Sequence, residues 1–452
     1  MAFNTLTINH PLRIPLAAEV HSRPSLELAG AETLTHLAVF ARSDAHSGDD
    51  TAPTQLSLLA QFCGHFGVAA PGVHAKYFFH DFGGFRLKWE CHTEFATYTF
   101  LENHLASAAL VSDSAVNVTA GLDEVFARLP LRHIPQWWLA GLQGKVMVAA
   151  HLALIAGDSR EQPAGLRKYF EGGLAVGSEL IARGEVWTDF LIQADGFGRF
   201  VLKDFGFLEQ QAGRTVQRLL EIETYRMMAL LGLPQAQSAA PVLTAIENEL
   251  VALTATLTRS EAAELADTDA EQAVLRSIID LAARLEQLTL ENSYRFSASK
   301  AYFSLVKARI LELRETRIEG LPTIAEFMDR RLAPAMHTCE AIVRRQEALA
   351  ARIANTNDLL RTRVGIMQEQ QNRKILQSMN ARAAQQLRLQ QAVEGLSVAA
   401  ISYYVAGLFL YTGKGLKALG LNINPELLTG VLIPVIALTV WYSLRRMHRK
   451  LH

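Results

Sequence analysis

Cysteine is scarce: three residues in 452, Cys63, Cys91 and Cys339, far apart and odd in number. That excludes a disulfide framework and any paired Cys-x-x-Cys zinc motif, and it fits a reducing compartment. An excess of charge of one sign is lacking too. With 44 Lys and Arg against 45 Asp and Glu, the formal net charge is -1. Nothing supplies a broad basic face, so no nucleic-acid partner is expected. There is no G-x-S-x-G, no Walker loop and no H-E-x-x-H, so a recognisable catalytic motif is missing and cofactors stay unassigned. The first 30 residues carry Arg13, Glu19 and Arg23 and no apolar run, and no signal peptide is expected.

What the chain does have is concentrated at its end. From Pro334 the sequence runs without another proline into LSVAAISYYVAGLFLYT, Leu396–Thr412, 17 residues without a charge. LLTGVLIPVIALTVWYSL, Leu427–Leu444, adds 18 more. At 1.5 Å per residue each spans most of a hydrocarbon core of about 30 Å. Tyr403, Tyr404, Tyr411, Trp441 and Tyr442 include residues near the segment ends, where an interfacial aromatic belt belongs. Arg445, Arg446, Arg449 and Lys450 follow the second segment and Arg382 and Arg388 precede the first, whereas the connector Gly413–Glu426 holds only Lys414 and Lys417. The positive-inside bias then puts both termini in the cytoplasm. The lipid bilayer is the expected partner, and a two-span protein of a bacterial inner membrane is the expected location.

The fold class that follows is α+β: an α/β cytoplasmic domain over 1–235, a helical, coiled-coil-like stalk over 236–395, and a transmembrane hairpin with a basic tail over 396–452. Thr35–Arg42 reads as a buried strand, Ala45–Pro53 as a loop, and Gln55–Phe66 as a helix. HAKYFFHDFGGFRLKWECHTEFATYTF gives two strands around a turn at Asp81–Gly84, and EVWTDFLIQADGFGRFVLKD repeats the construction around Asp195–Gly198. With LTHLAVFAR and KVMVAAHLALIAG as equivalent strands, the two hairpins hint at a duplicated unit. Val216, Leu219, Leu220, Glu223 and Met227 mark an amphipathic helix over about Glu209–Leu231, ended by Gly232 and Pro234. Pro241–Arg259, Asp269–Gly320 and Pro334–Leu396 then form the stalk.

In the last stalk helix Ile342, Ile353, Val364 and Ile375 recur every 11 residues, with Leu349 and Leu360 in a parallel row. An 11-residue repeat favours a nearly straight or slightly right-handed bundle. Gly365 and Gly395 are the expected interruptions. A stripe this narrow needs partners, and it continues through Met379, Ala383 and Leu387 towards the small residues Ala399, Ala400, Ala406 and Gly407. A homo-oligomer built around this helix is therefore expected.

EVHSRP at Glu19–Pro24, FRLKWECHTEF at Phe85–Phe95, RFSASKAY at Arg295–Tyr302 and the run from Gln368 to Tyr404 together resemble an uncharacterised bacterial family of membrane-anchored proteins, known only as a domain of unknown function. More distantly, the order of α/β domain, long helix, first span, short loop, second span and basic end resembles the CorA-type cation transporters, which are pentamers. That family carries Gly-Met-Asn at the outer end of the first span. Here Tyr411, Thr412, Gly413 and Lys414 stand in its place, and a lysine there repels the divalent cation such a site attracts.

Strand alternation puts Arg86, Lys88, Glu90, His92 and Glu94 on one face of the first hairpin, opposite Leu87, Trp89, Cys91 and Phe95. Glu90, His92 and Glu94 form a candidate metal or acid/base cluster, with Glu19, His21 or His80 as possible fourth members. The same pattern also suits a polar strand face on which Arg and Lys pair the carboxylates. Arg295, Ser297, Ser299 and Lys300 form a candidate anion site, while Gly83-Gly84 and Gly196-Phe197-Gly198 fit turns better than phosphate loops. Two function classes remain: a CorA-like oligomer that conducts or senses ions, and an enzymatic or scaffolding domain that the hairpin only anchors.

Overall fold

The structure, a computed structural model, describes residues 9–14, 16–17, 24–28, 30–40, 51–104, 122–142, 145–157, 166–170, 176–262, 268–419 and 424–451. Of the expected features, residues 45–50 of the first loop and all of Glu19–Pro24 except Pro24 lie outside the described residues.

The strands are β1 (Glu32–Phe40), β2 (Tyr77–Asp81), β3 (Arg86–Cys91), β4 (Phe95–Asn103), β5 (Val146–Ala156), β6 (Val176–Leu180), β7 (Gly184–Thr188), β8 (Gly198–Asp204) and β9 (Glu315–Arg317). They form one sheet in the order β2-β3-β4-β1-β5-β8-β7-β6-β9. The helices are α1 (Thr51–His65), α2 (Leu122–Ala127), α3 (Gln136–Gly141), α4 (Glu209–Leu230), α5 (Gly232–Ala262), α6 (Thr268–Leu313), α7 (Ile324–Arg331), α8 (Ala333–Ala418) and α9 (Pro425–Leu451).

Both expected turns form around a glycine of positive φ, +85° at Gly83 and +86° at Gly196, a conformation that a Cβ disfavours. An aspartate precedes each and braces it: Asp81 Oδ1 accepts from Gly83 N at 2.8 Å, and Asp195 Oδ1 accepts from Phe197 N at 3.0 Å. The first hairpin is longer than its glycine signal implies. His92 N donates to Phe95 O at 2.8 Å, turning the chain again into β4, so three strands stand where two are expected.

The duplication does not hold. Strand order is symmetrical about the β1–β5 pair, but β1 pairs with β4 antiparallel while β5 pairs with β8 parallel. The second half has the opposite polarity to a rotated copy of the first. The sheet also takes its last strand from far along the chain, where β9 pairs with β6. Glu315 of that strand accepts from Ile324 N at 2.9 Å and Ala325 N at 2.7 Å, so its carboxylate caps α7.

Two compact units divide the chain: 1–259 with 277–355, and 260–276 with 356–452. In the first, alternation sorts the central strands into two buried faces. Leu37, Val39, Leu87, Trp89, Tyr98 and Phe100 share one core with Phe62 of α1 and Trp138 of α3. The opposite face carries His36, Lys88, Thr97 and Thr99, all buried. On α4, Val216, Leu219, Leu220 and Met228 are buried, and Gly213 passes so close to the 24–28 segment that a Cβ would lie 1.7 Å from Leu26 O. α5 begins at Gly232 and continues through Pro241, so the two residues expected to end a helix open the next one.

In the second unit Arg363 pairs with buried Glu271 at 2.7 Å, and Leu360 and Val364 are buried. Helix α8 passes through Gly365 and Gly395 without a break. Every residue from 368 to 393 is at least partly open, and Ile375, Leu376, Met379 and Leu387 are exposed by 51–60%. The apolar stripe that is covered at Ile342 and Ile353 is therefore bare from Ile375 onward. Near the start of α9 the chain returns close to α8, where a Cβ on Gly413 would lie 3.2 Å from the Pro425 Cβ.

Candidate functional site

Between the polar face of the sheet and helices α4 and α6 lies a cavity of about 210 Å³, to which β1, β3, β4, α4 and α6 all contribute. Lys88 is its centre. The side chain is 2% exposed, and its ammonium reaches Glu90 Oε1 at 3.2 Å and Gln217 Oε1 at 3.2 Å. A buried ammonium needs such partners because desolvation costs several kcal/mol, of the order that one ion pair returns. Gln217 hands the network on: its Nε2 donates to Glu221 Oε1 at 2.8 Å, and the Arg309 guanidinium pairs with Glu221 and, at 2.8 Å, with Glu312. The lining is charge-balanced, with Lys88 and Arg309 facing Glu90 and Glu221.

His36 forms the far wall. Thr224 donates its hydroxyl to Leu220 O at 2.8 Å, so its oxygen accepts from His36 Nε2 at 3.0 Å. His36 Nδ1 then accepts from the Thr99 hydroxyl at 2.8 Å, which makes the ring the neutral Nε2–H tautomer. Burial, helped by the nearby Lys88 charge, lowers the His36 pKa to about 3. Burial and the Glu90 charge push the Tyr77 phenol up to about 12. His151, on β5, is also kept neutral: burial lowers it to about 4, it bonds Thr35 Oγ1 at 3.0 Å, and it stacks on Phe197 at 4.1 Å.

The three residues expected to share a strand face are divided. Glu90 and His92 line the cavity, and His92 stacks on Phe95 at 4.5 Å. Glu94 leaves the strand in the β3–β4 turn and is bound by Arg295 of α6 in a buried two-pronged ion pair, with the second contact at 3.4 Å. Tyr302, two turns along the same face of α6, bonds the same carboxylate, and burial with the Glu94 charge pushes its phenol up. Arg295 thus serves a carboxylate of its own chain. Among the described residues, no group of three or more His, Cys, Asp and Glu side chains is placed to hold a metal ion.

Sequence reasoning missed His36, Thr224 and Arg309 as members of this site. The only local signal is a histidine inside the apolar run THLAVF, where a polar ring must find partners.

An α+β body with a partly open, charge-balanced polar cavity, followed by two helices long and apolar enough to cross a membrane, is the class of protein that these features define. The chain matches the family described as "Protein of unknown function (DUF3422)" over residues 8–451 and belongs to it. No curated protein matches the chain. The match brings no support for the CorA-type resemblance.

Proposed function

We propose that the protein is a bilayer-anchored, self-associating protein of the bacterial inner membrane, with both termini cytoplasmic and the α+β body on the cytoplasmic side. The observation that carries this reading is exposure. None of the most apolar 18-residue window of the helix that includes Leu396–Thr412 is buried, and only 11% of that in α9 is. A core helix of a soluble protein would be covered, whereas Leu396, Leu408, Leu427, Val431 and Leu438 are exposed by 64–72%.

Between the two function classes, the hydroxyls favour the anchor. Ser397 donates to Val393 O at 2.8 Å, Thr412 to Leu408 O at 2.7 Å and Thr439 to Val435 O at 2.6 Å. These groups are satisfied within their own helices, and neither apolar segment carries a charge that an ion path would use. Ser402 differs: among the described residues its buried hydroxyl has no hydrogen-bond partner. The bare stripe from Ile375 to Leu387 supports self-association.

The test is extraction. Membranes washed in alkaline carbonate should retain the full chain, and deletion of 396–452 should release it. A full chain that leaves with the wash contradicts the anchor. A cation flux through purified protein in liposomes would restore the conducting class.

A further inference from the structure

The polar cavity between the sheet and α4 carries hydrogen-bonding groups that its own residues leave unused. Thr97 of β4 is 6% exposed and lines the space, yet among the described residues its hydroxyl bonds nothing. Its neighbours are taken: Thr99 donates to His36 Nδ1 and Thr224 to Leu220 O. Unlike the sealed, unpartnered oxygens of Thr215 and Ser299, the Thr97 oxygen is open to the cavity.

Glu90 stands directly across from Thr97 in the β3–β4 register and lines the same cavity. Its Oε1 lies 3.2 Å from the Lys88 ammonium, whereas Oε2 has no partner among the described residues, and the side chain keeps 13% of its surface. Arg309 adds a third position. Its Nε holds Glu221 and its Nη1 holds Glu312, which leaves Nη2 unbonded on a side chain that lines the cavity and is 28% exposed.

These groups are mixed in kind: Glu90 accepts, Arg309 donates and Thr97 does both. No net charge comes with them, because each cation of the lining already stands against a carboxylate, Lys88 against Glu90 and Arg309 against Glu221. An incoming carboxylate on Lys88 or Arg309 would lie beside a carboxylate already there, and an incoming ammonium on Glu90 beside the Lys88 cation. Such like-charge contacts are unfavourable. Neutral hydroxyls avoid them, and each both donates and accepts. Partners across two strands stand about 5 Å apart at Cβ, a spacing that neighbouring hydroxyls of one molecule can bridge. The volume of about 210 Å³ falls below the roughly 300–1,000 Å³ usual for drug-sized ligands, so the occupant is small. We infer that this cavity binds a neutral polyol of monosaccharide size, with adjacent hydroxyls on Glu90 and Thr97 and a further one on Arg309.

The full chain in phosphatidylcholine nanodiscs is titrated with glucose, galactose, mannitol and myo-inositol, with binding read by saturation-transfer NMR against empty nanodiscs. At least one should bind. Gluconate and glucosamine, which add a negative and a positive charge to the glucose skeleton, should bind at least about tenfold more weakly than the best neutral compound, the effect of about 1.4 kcal/mol. Thr97→Val keeps the side-chain shape and removes the hydroxyl, so the dissociation constant should rise about three- to tenfold, as loss of one hydrogen bond implies. The unfolding temperature of the ligand-free variant should stay level or rise, because the hydroxyl bonds nothing in the fold; this separates a lost contact from a damaged body. Glu90→Gln keeps an acceptor for Lys88 and leaves the lining one unit positive, so gluconate should gain on the neutral compounds. Binding by none of the four would leave the cavity to water and overturn the assignment. Charged analogues that bind as tightly as the best neutral compound, an unchanged affinity in Thr97→Val, or an unchanged gluconate ratio in Glu90→Gln would overturn it too.

Discussion

Arg295 on α6 grips Glu94 in the β3–β4 turn across 201 residues of sequence, and both side chains are buried. The pair ties the sheet to the helix at the point where two of the sequence motifs, Phe85–Phe95 and Arg295–Tyr302, meet. Removing one partner strands the other charge in a dry site, at about 3–5 kcal/mol. Glu94→Leu or Arg295→Met alone should therefore lower the unfolding temperature of the body sharply. The double variant should recover much of the loss, since neither charge is then left alone. Equal destabilisation by singles and double would show that the pair does not couple.

Below neutral pH the two buried histidines should govern stability. Above about 6.5, the ordinary imidazole value, folded and unfolded states are both neutral and nothing is lost. As pH falls below that, the unfolded chain takes up protons that the folded one refuses, down to about 3 at His36 and about 4 at His151. Each histidine then removes up to about 1.4 kcal/mol per pH unit. His36→Gln keeps a donor for Thr224 and an acceptor for Thr99 but cannot titrate. Denaturant midpoints measured from pH 7 to pH 5 should fall less steeply in that variant; an identical slope would remove His36 from the account.

Gly213→Ala tests the contact of α4 with the 24–28 segment. The added methyl would meet the Leu26 carbonyl, a backbone atom that cannot swing aside. Overpacking of this kind costs about 1–3 kcal/mol, so the midpoint of chemical unfolding should drop accordingly. A neutral result would mean that the segment is not held against α4.

The bare helix stripe should be an assembly surface. Leu376→Glu with Leu387→Glu places charges on the exposed stretch of α8, outside the packed core. The mass of the detergent-solubilised protein should fall to that of a monomer, with the unfolding temperature of the body unchanged. A wild-type monomer at working concentrations would defeat self-association.

Much of this fold is legible in the sequence because its strongest signals are local. Asp81–Gly84 and Asp195–Gly198 carry their turns in their own residues, and the three-and-four spacing of Val216, Leu219 and Leu220 marks α4. The β3–β4 turn at His92–Glu94 contains neither glycine nor proline, so alternation carries on through it and assigns Glu94 to the wrong environment. Pro241 reads as the start of a stalk helix, yet the helix begins at Gly232 and runs through it, with Pro241 on the exposed face and Ala239, Leu243 and Ile246 buried on the other. The antiparallel β1–β4 and parallel β5–β8 pairings depend on chain paths that no periodicity encodes. The site is less legible still: His36, Lys88, Gln217 and Arg309 come from four separate elements, and only the fold brings them together.

The central claim is that two spans hold the chain in a bilayer with the Gly413–Glu426 connector outside. The three native cysteines are buried, so a single introduced cysteine can report its own side of the membrane. Lys417→Cys and Arg446→Cys variants are treated with a membrane-impermeant maleimide in cells whose outer membrane has been opened. Labelling of residue 417 in intact cells, and of residue 446 only after the inner membrane is broken, is the predicted result. Labelling of both, or of neither, before the inner membrane is broken would contradict it.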